Sequence, residues 1–427
     1  MVEKKLPCSK KKLEEIAAEH GTPFYLYDEA GIRQTARRLN DAFSWVPGGF
    51  MNFFAVKACP NHFIVKILAS EGMGVDCSSV AELELASRVG LAGGSIMFSS
   101  NSTTELTYAD ARRVGAIVNL DDGEHIKRFL GSHRTFPETV CFRFNPGDSI
   151  EGTSIIGKGT EAKFGVTSSS IADVYRKMRD LAAAGHKGVK YGIHVMAGSN
   201  RLDLDYFADI SGVMFELAAR LSGELGIRFD FINLGGGIGV PYRPEEQPVD
   251  LESLSGRINE QYDKRIIKRG IHPPRIFMEN GRMVTGPYGF FVTRVEGTEV
   301  KYQDYARVDA SEAQCPRPGI YGAYHHIIVP GKEDLPHDHV YDVAGSLCEN
   351  WKFAGQRRLP KLKRGDLLVL CDAGAHCYAM SFNYNGAPKA AEVLLREDGS
   401  TFLIRKRQSP HEQYRDIPLS DLSGFEV

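Results

Sequence analysis

The chain has 427 residues, enough for two or three domains or for one large barrel with an appendage. Its 52 Lys and Arg against 54 Asp and Glu leave a net charge of −2, which excludes a strongly basic nucleic-acid binder and an acidic disordered tail. At 42% hydrophobic and 25% charged residues, it has the composition of a well-cored globular protein.

The opening MVEKKLPCSKKK is polar and basic with no apolar run behind it, so no secretory signal is expected. No run of about 18 apolar residues occurs, so no transmembrane helix is expected either. A short helix over about 10–20 follows Ser9, and FYLYDE (24–29) reads as a strand. Eight short apolar runs then recur: FFAVK (53–57), GVDC (74–77), IMFSS (96–100), AIVNL (116–120), CFRFN (141–145), YGIHVM (191–196), FINLGGG (231–237) and RIFMEN (275–280). Between them lie stretches with helical spacing, such as 62–72, 79–90, 170–185 and 206–226, several closed by glycine. This alternation predicts an α/β fold, a (β/α)8 TIM-type barrel over residues 30–285, with a doubly wound open sheet as the alternative. From 286 onward the pattern changes to β-rich runs separated by turn signals. Residues 1–29 and 286–427 are therefore expected to form an all-β domain.

Eight cysteines without a CxxC spacing read as reduced thiols, and the expected compartment is the cytoplasm. His325–His326 and the HDH at 337–339 lack a second half at zinc spacing, so no metal is expected.

In such barrels chemistry sits at the C-terminal ends of the strands. There the sequence places Lys57, Asp76, Ser100 and Asn101, Arg143 and Asn145, His194, Gly235–Gly236–Gly237 and Glu279. Each has an ordinary reading: a solvated lysine, half of an ion pair, a hydrogen-bonded core histidine. Their convergence on one rim favours chemistry. Lys57 follows an apolar run, so its stem is expected to be buried, which would favour a neutral amine able to condense with an aldehyde. The glycine run would offer backbone N–H groups to a phosphate. Its spacing is not GxGxxG, so a dinucleotide is disfavoured. Lysine, phosphate cradle and a carboxylate for a ring nitrogen together suit pyridoxal 5′-phosphate.

The motifs FFAVKACPN, VDCSSVAEL, CFRFNPG, AKFGV, NLGGGIG, MENGRMVTGPYG, PRPGIYGAYH, GSLCEN and DAGAHCYAMSFNYN occur in the order seen in fold-type III pyridoxal phosphate decarboxylases. The chain most resembles the diaminopimelate decarboxylases, over about 50–395. The resemblance implies an alanine racemase-like barrel, a C-terminal β domain and a homodimer with shared active sites. It also implies decarboxylation of meso-diaminopimelate, an amino-acid substrate, to L-lysine and CO2, with no nucleic-acid or membrane partner.

By the same resemblance Lys57 carries the cofactor and Glu279 partners its ring nitrogen. Asp76 and Glu82 form an acidic pair nearby, and Gly235, Gly236, Gly237, Gly281 and Arg282 lie on the phosphate side. Arg282, Arg317 and Tyr321 hold the substrate's distal carboxylate. Cys348 and Glu349 form the pair lent by one subunit to its neighbour, Cys348 donating the proton. Two guanidinium forks and a phenol suit a carboxylate better than an amine.

Three positions depart from the family pattern. HVMAGS keeps His194 but has Met196 where a ring-stacking histidine is usual, His376 stands where a tyrosine is usual near the phosphate, and the ENGR turn replaces EPGR or ESGR. A racemase is disfavoured by Glu279, because racemases favour an arginine at the ring nitrogen. A decarboxylase of another carboxylate-bearing amino acid, such as a siderophore precursor, is the main alternative. A non-catalytic relative is disfavoured by the retention of Lys57 and Cys348.

Overall fold

The computed structural model describes residues 4–149 and 159–418. After a first helix (Lys10–His20), capped by Ser9 Oγ on the Lys12 N–H, comes strand β1 (Phe24–Asp28). Eight strands follow, with helices between them: β2 (Phe50–Ala55), β3 (Gly74–Cys77), β4 (Ile96–Ser99), β5 (Ile117–Leu120), β6 (Thr139–Phe144), β7 (Lys190–Val195), β8 (Phe229–Asn233) and β9 (Arg275–Met278). Each pairs in parallel with the next, and β9 pairs with β2, so the barrel is closed.

Parallel strands covered by helices read as continuous apolar runs, as these do. The barrel interior is filled by side chains. Phe53, Met97, Cys141 and Phe231 come from β2, β4, β6 and β8, the alternate-strand layer that a barrel of this kind requires, and Phe277 joins them. The rings of Phe231 and Phe277 stack with centroids 4.6 Å apart. The neighbouring strand makes room for Phe231 with Gly192, where a Cβ would lie 1.9 Å from the ring.

The remaining strands are β10 (Gly289–Val300), β11 (Asp304–Val308), β12 (Ile327–Ile328), β13 (His339–Ala344), β14 (Ala354–Leu359), β15 (Leu367–Leu370), β16 (Ala391–Leu395) and β17 (Thr401–Arg405). They form a mostly antiparallel sheet in the order β14-β13-β11-β10-β1-β16-β17, with β15 pairing both β10 and β12. Alternation along β1 sets its core: Phe24 and Leu26 pack with Leu13, Val292, Val369 and Val393. On its other face the Tyr25 and Tyr27 hydroxyls donate to Gln314 O at 2.6 Å and Glu392 Oε1 at 2.7 Å.

The chain divides into two compact units. One comprises residues 31–241 and 247–284 and contains the barrel; the other comprises residues 1–30, 242–246 and 285–427 and contains the sheet. No helix among the described residues is long and apolar enough to cross a membrane.

Candidate active site

In the barrel unit the rim residues gather around Glu279, which follows β9 and is buried. His194 Nε2 lies 3.1 Å from Glu279 Oε2, while Asn233 Nδ2 donates to Oε1 at 2.7 Å and Asn119 Nδ2 to the same oxygen at 3.4 Å. Burial alone would push this carboxyl upward. The opposing pull of His194, Lys57 and Asn233 wins, and the group is held below the usual carboxylate range. Asp76 on β3 goes the other way. Burial, reinforced by Glu279, pushes it well above the usual range despite Lys57 and a hydrogen bond from Ser99. One buried carboxylate is thus held charged and its neighbour is driven towards the neutral form.

Lys57 departs from its expected environment. The chain leaves β2 in a single 3-10 turn, Val56–Ala58, whose outer residues are buried while Lys57 is exposed. The expected burial of its side chain is therefore not found. Its influence is electrostatic: it pulls Asp76, Glu82 and Glu279 downward. Glu82 also has a structural duty, because its Oε2 accepts the Ser78 N–H at 2.6 Å at the start of the helix Val80–Arg88.

The glycine run after β8 owes its composition to close backbone approach. Gly235 and Gly237 have φ of +69° and +106°, and a Cβ on Gly236 would lie 2.4 Å from Glu279 O. Two of its N–H groups are already engaged: Gly235 donates to Asn233 Oδ1 at 2.9 Å, and Gly236 to Met196 Sδ, a weak acceptor, at 3.3 Å. Arg282, half-buried in the turn after β9, reaches Ser199 Oγ at 3.5 Å.

Arg143 on β6 lies over the Phe164 ring at 3.9 Å and 3.6 Å from Asp121. Asn119, Asn233 and Asp121 were not singled out in the sequence. The signal was present in the first two, since an asparagine inside IVNL or FIN is a polar group that the fold must bury and satisfy.

The other candidates lie in the sheet unit. Arg317 opens the helix Arg317–Tyr321 and is buried, with Nη1 3.1 Å from His325 Nε2 and its guanidinium 4.6 Å from the Tyr242 ring centroid. His325 Nδ1 lies 2.8 Å from Cys371 O, so this histidine of the HH pair supports an arginine. Tyr321 is exposed. Cys348 and Glu349 are exposed between β13 and β14; the Cys348 N–H donates to Asn385 Oδ1 at 2.9 Å. Trp351 holds this loop against the Arg317 helix, because a Cβ on Gly319 would lie 2.2 Å from its ring. His376 is half-buried with φ of +63°.

Residues 29–286 match the family model for the pyridoxal-binding domain of the pyridoxal-dependent decarboxylases. The chain belongs to this family; it is a carbon–carbon lyase that works with pyridoxal 5′-phosphate. It is 36% identical over 401 residues to the diaminopimelate decarboxylase of Methanothermobacter thermautotrophicus, covering 92% of this chain and 91% of that one. It is 38% identical over 400 residues to Protein TabA of Pseudomonas amygdali pv. tabaci, covering 93% and 91%. Its fold matches a crystal structure of diaminopimelate decarboxylase from M. jannaschii in complex with L-lysine, with a TM-score of 0.85, 28% identity and 94% of each chain covered.

The barrel rim suits this cofactor on its own evidence. Buried Asp76 Oδ1 and His194 Nδ1 have no hydrogen-bond partner among the described residues, and Glu279 is held anionic beside them. An exposed lysine amine and a half-buried guanidinium complete the donor set for an aldehyde and a phosphate.

Proposed function

We propose that the protein decarboxylates meso-diaminopimelate to L-lysine and CO2, and that it does so as a homodimer in which each subunit lends residues to its neighbour's site. The observation that carries the substrate class is Arg317. Its guanidinium is buried against His325 Nε2, the Tyr242 ring and Cys377, it has no carboxylate partner among the described residues, and its planar fork suits the carboxylate of a ligand. Similarity to diaminopimelate decarboxylases along nearly the whole chain supports the particular substrate.

In this reading Lys57 would hold the cofactor through its aldehyde carbon. Glu279 keeps a proton at the ring nitrogen, and Asp76 and His194 offer their unmatched atoms to the bound molecule. Gly237, Arg282 and His376 attend the phosphate; Gly235 and Gly236 shape the loop. When bound, the cofactor supplies the electron sink for the bond that breaks at the α carbon. Arg317, Arg282 and Tyr321 clamp the distal carboxylate, leaving the α-carboxylate as the one that departs. Cys348, with Glu349 beside it, returns a proton to the α carbon; Lys57 is the alternative donor.

A second substrate, another amino acid with a distal carboxylate, is favoured by Met196 and His376 and by the 38% identity to Protein TabA. Incubating the enzyme, reconstituted with pyridoxal phosphate, with meso-diaminopimelate decides between them. Formation of lysine supports the first reading. Its absence, with the cofactor demonstrably bound, promotes the second.

A further inference from the structure

At the N-terminal ends of the barrel strands, opposite the rim that carries Lys57 and Glu279, lies a cavity of about 610 Å3. That volume falls within the ~300–1,000 Å3 typical of small-molecule sites, on a face of the barrel that ordinarily serves stability alone. None of the candidate active-site residues named above lines it.

Its walls combine two chemistries. Phe129, Phe136, Phe231 and Phe277 all contribute to the lining, the last two being the stacked pair of the barrel core. The charged lining is Arg112, Lys190 and Arg275 against Glu138 and Asp230. These charges are not equally committed. Arg112 donates to Phe129 O at 3.1 Å and to Thr135 O. Asp230 accepts the Tyr191 N–H at 3.2 Å and lies 3.7 Å from Arg228.

Arg275 is different. It is half-buried at the start of β9, with its guanidinium 4.7 Å from the Phe277 ring centroid, and it has no hydrogen-bond or ion-pair partner among the described residues. Burial pushes its pKa down, the sign of a cation short of solvent and of counter-charge. A guanidinium laid over a ring keeps its N–H edge available, and that edge matches a carboxylate.

We propose that this cavity is a binding site for a small planar aromatic carboxylate, held by Arg275 at its charged end and by the phenylalanine walls along its ring. A single uncommitted fork suits a monoanion, and the Glu138 and Asp230 carboxylates in the lining disfavour a multiply charged inorganic ion.

Calorimetric titration of the full-length, cofactor-loaded enzyme tests this with benzoate as the probe, and with benzamide and inorganic phosphate as the uncharged and the ring-less arms. Benzoate is expected to saturate one site per chain and to bind about tenfold or more tighter than either comparison compound. Arg275→Gln should weaken benzoate by a similar factor. Gly94→Trp gives an independent variant, since Gly94 lines the cavity and a Cβ there meets nothing within 4 Å; it should weaken benzoate by narrowing the space. If Arg275→Gln does not fold, as judged by circular dichroism, Gly94→Trp decides. Arg317→Met, in the other unit, should leave benzoate binding intact. The proposal is overturned if benzoate does not bind, if benzamide or phosphate binds as tightly, if the folded variants bind benzoate as well as the parent, or if Arg317→Met abolishes binding.

Discussion

Asn233 ties Glu279 to the glycine run with the two ends of one amide: Nδ2 donates to Glu279 Oε1 at 2.7 Å, and Oδ1 accepts the Gly235 N–H at 2.9 Å. The carboxylate that must stay charged and the loop that follows β8 therefore share one fixed point. Asn233→Ala removes both bonds and leaves a buried donor and a buried carboxylate oxygen short of a partner. A loss of about 1–3 kcal/mol of stability is expected in urea unfolding. Because Asn233 helps to hold Glu279 down, its removal lets that pKa rise. The acid limb of the activity profile should then move to higher pH, which a purely structural loss would not produce.

Asp76 supplies a second test, through pH and stability. Its pKa is raised in the folded chain, so the native state binds more protons than the unfolded one. Stability from this group is complete below the unfolded carboxylate range, about pH 4, and is lost as pH rises through the raised value. Asp76→Asn abolishes that slope. In thermal melts of the cofactor-free protein, the variant should gain on the parent progressively as pH increases from 4 towards 8.

The distal clamp is checked by kinetics. Arg317→Ala should raise KM for meso-diaminopimelate about ten- to a hundredfold, with cofactor retention unchanged by absorbance. Equal loss of cofactor and substrate would contradict the carboxylate role.

Proton return separates from binding in the same assay. Cys348→Ala should lower kcat by about a hundredfold or more while KM stays near the parent value. A change confined to KM would assign Cys348 to binding.

Much of this was legible in the sequence because barrel strands are apolar throughout and end on their chemistry. Lys57, Asp76, His194 and Glu279 were all found as the polar ends of such runs, and the structure brings them to one rim. The exposure of Lys57 was not legible: the apolar run before it suggested burial, but a 3-10 turn reverses the side chain's environment within one residue. A second reason for the glycine run was not legible. Glycines after a strand suggested an anion cradle, but close contacts, such as the one a Cβ on Gly236 would make with Glu279 O, depend on a neighbouring strand that sequence distance conceals. Strand β14, AGQRRL, was missed because an edge strand with an exposed face carries little apolar signal.

Strand β1 carries a kinetic consequence. It pairs antiparallel with β10 and parallel with β16, so its first neighbour is encoded more than 260 residues later. At a ribosome adding about 5–20 residues per second, β1 waits roughly 13–50 s with both edges unpaired. During that time every strand of the barrel is made, and each finds its neighbours at far shorter range, save for the closure of β9 on β2. The order of assembly is thereby written into the topology: the barrel can close while the amino-terminal strand is still waiting, and the sheet is finished last.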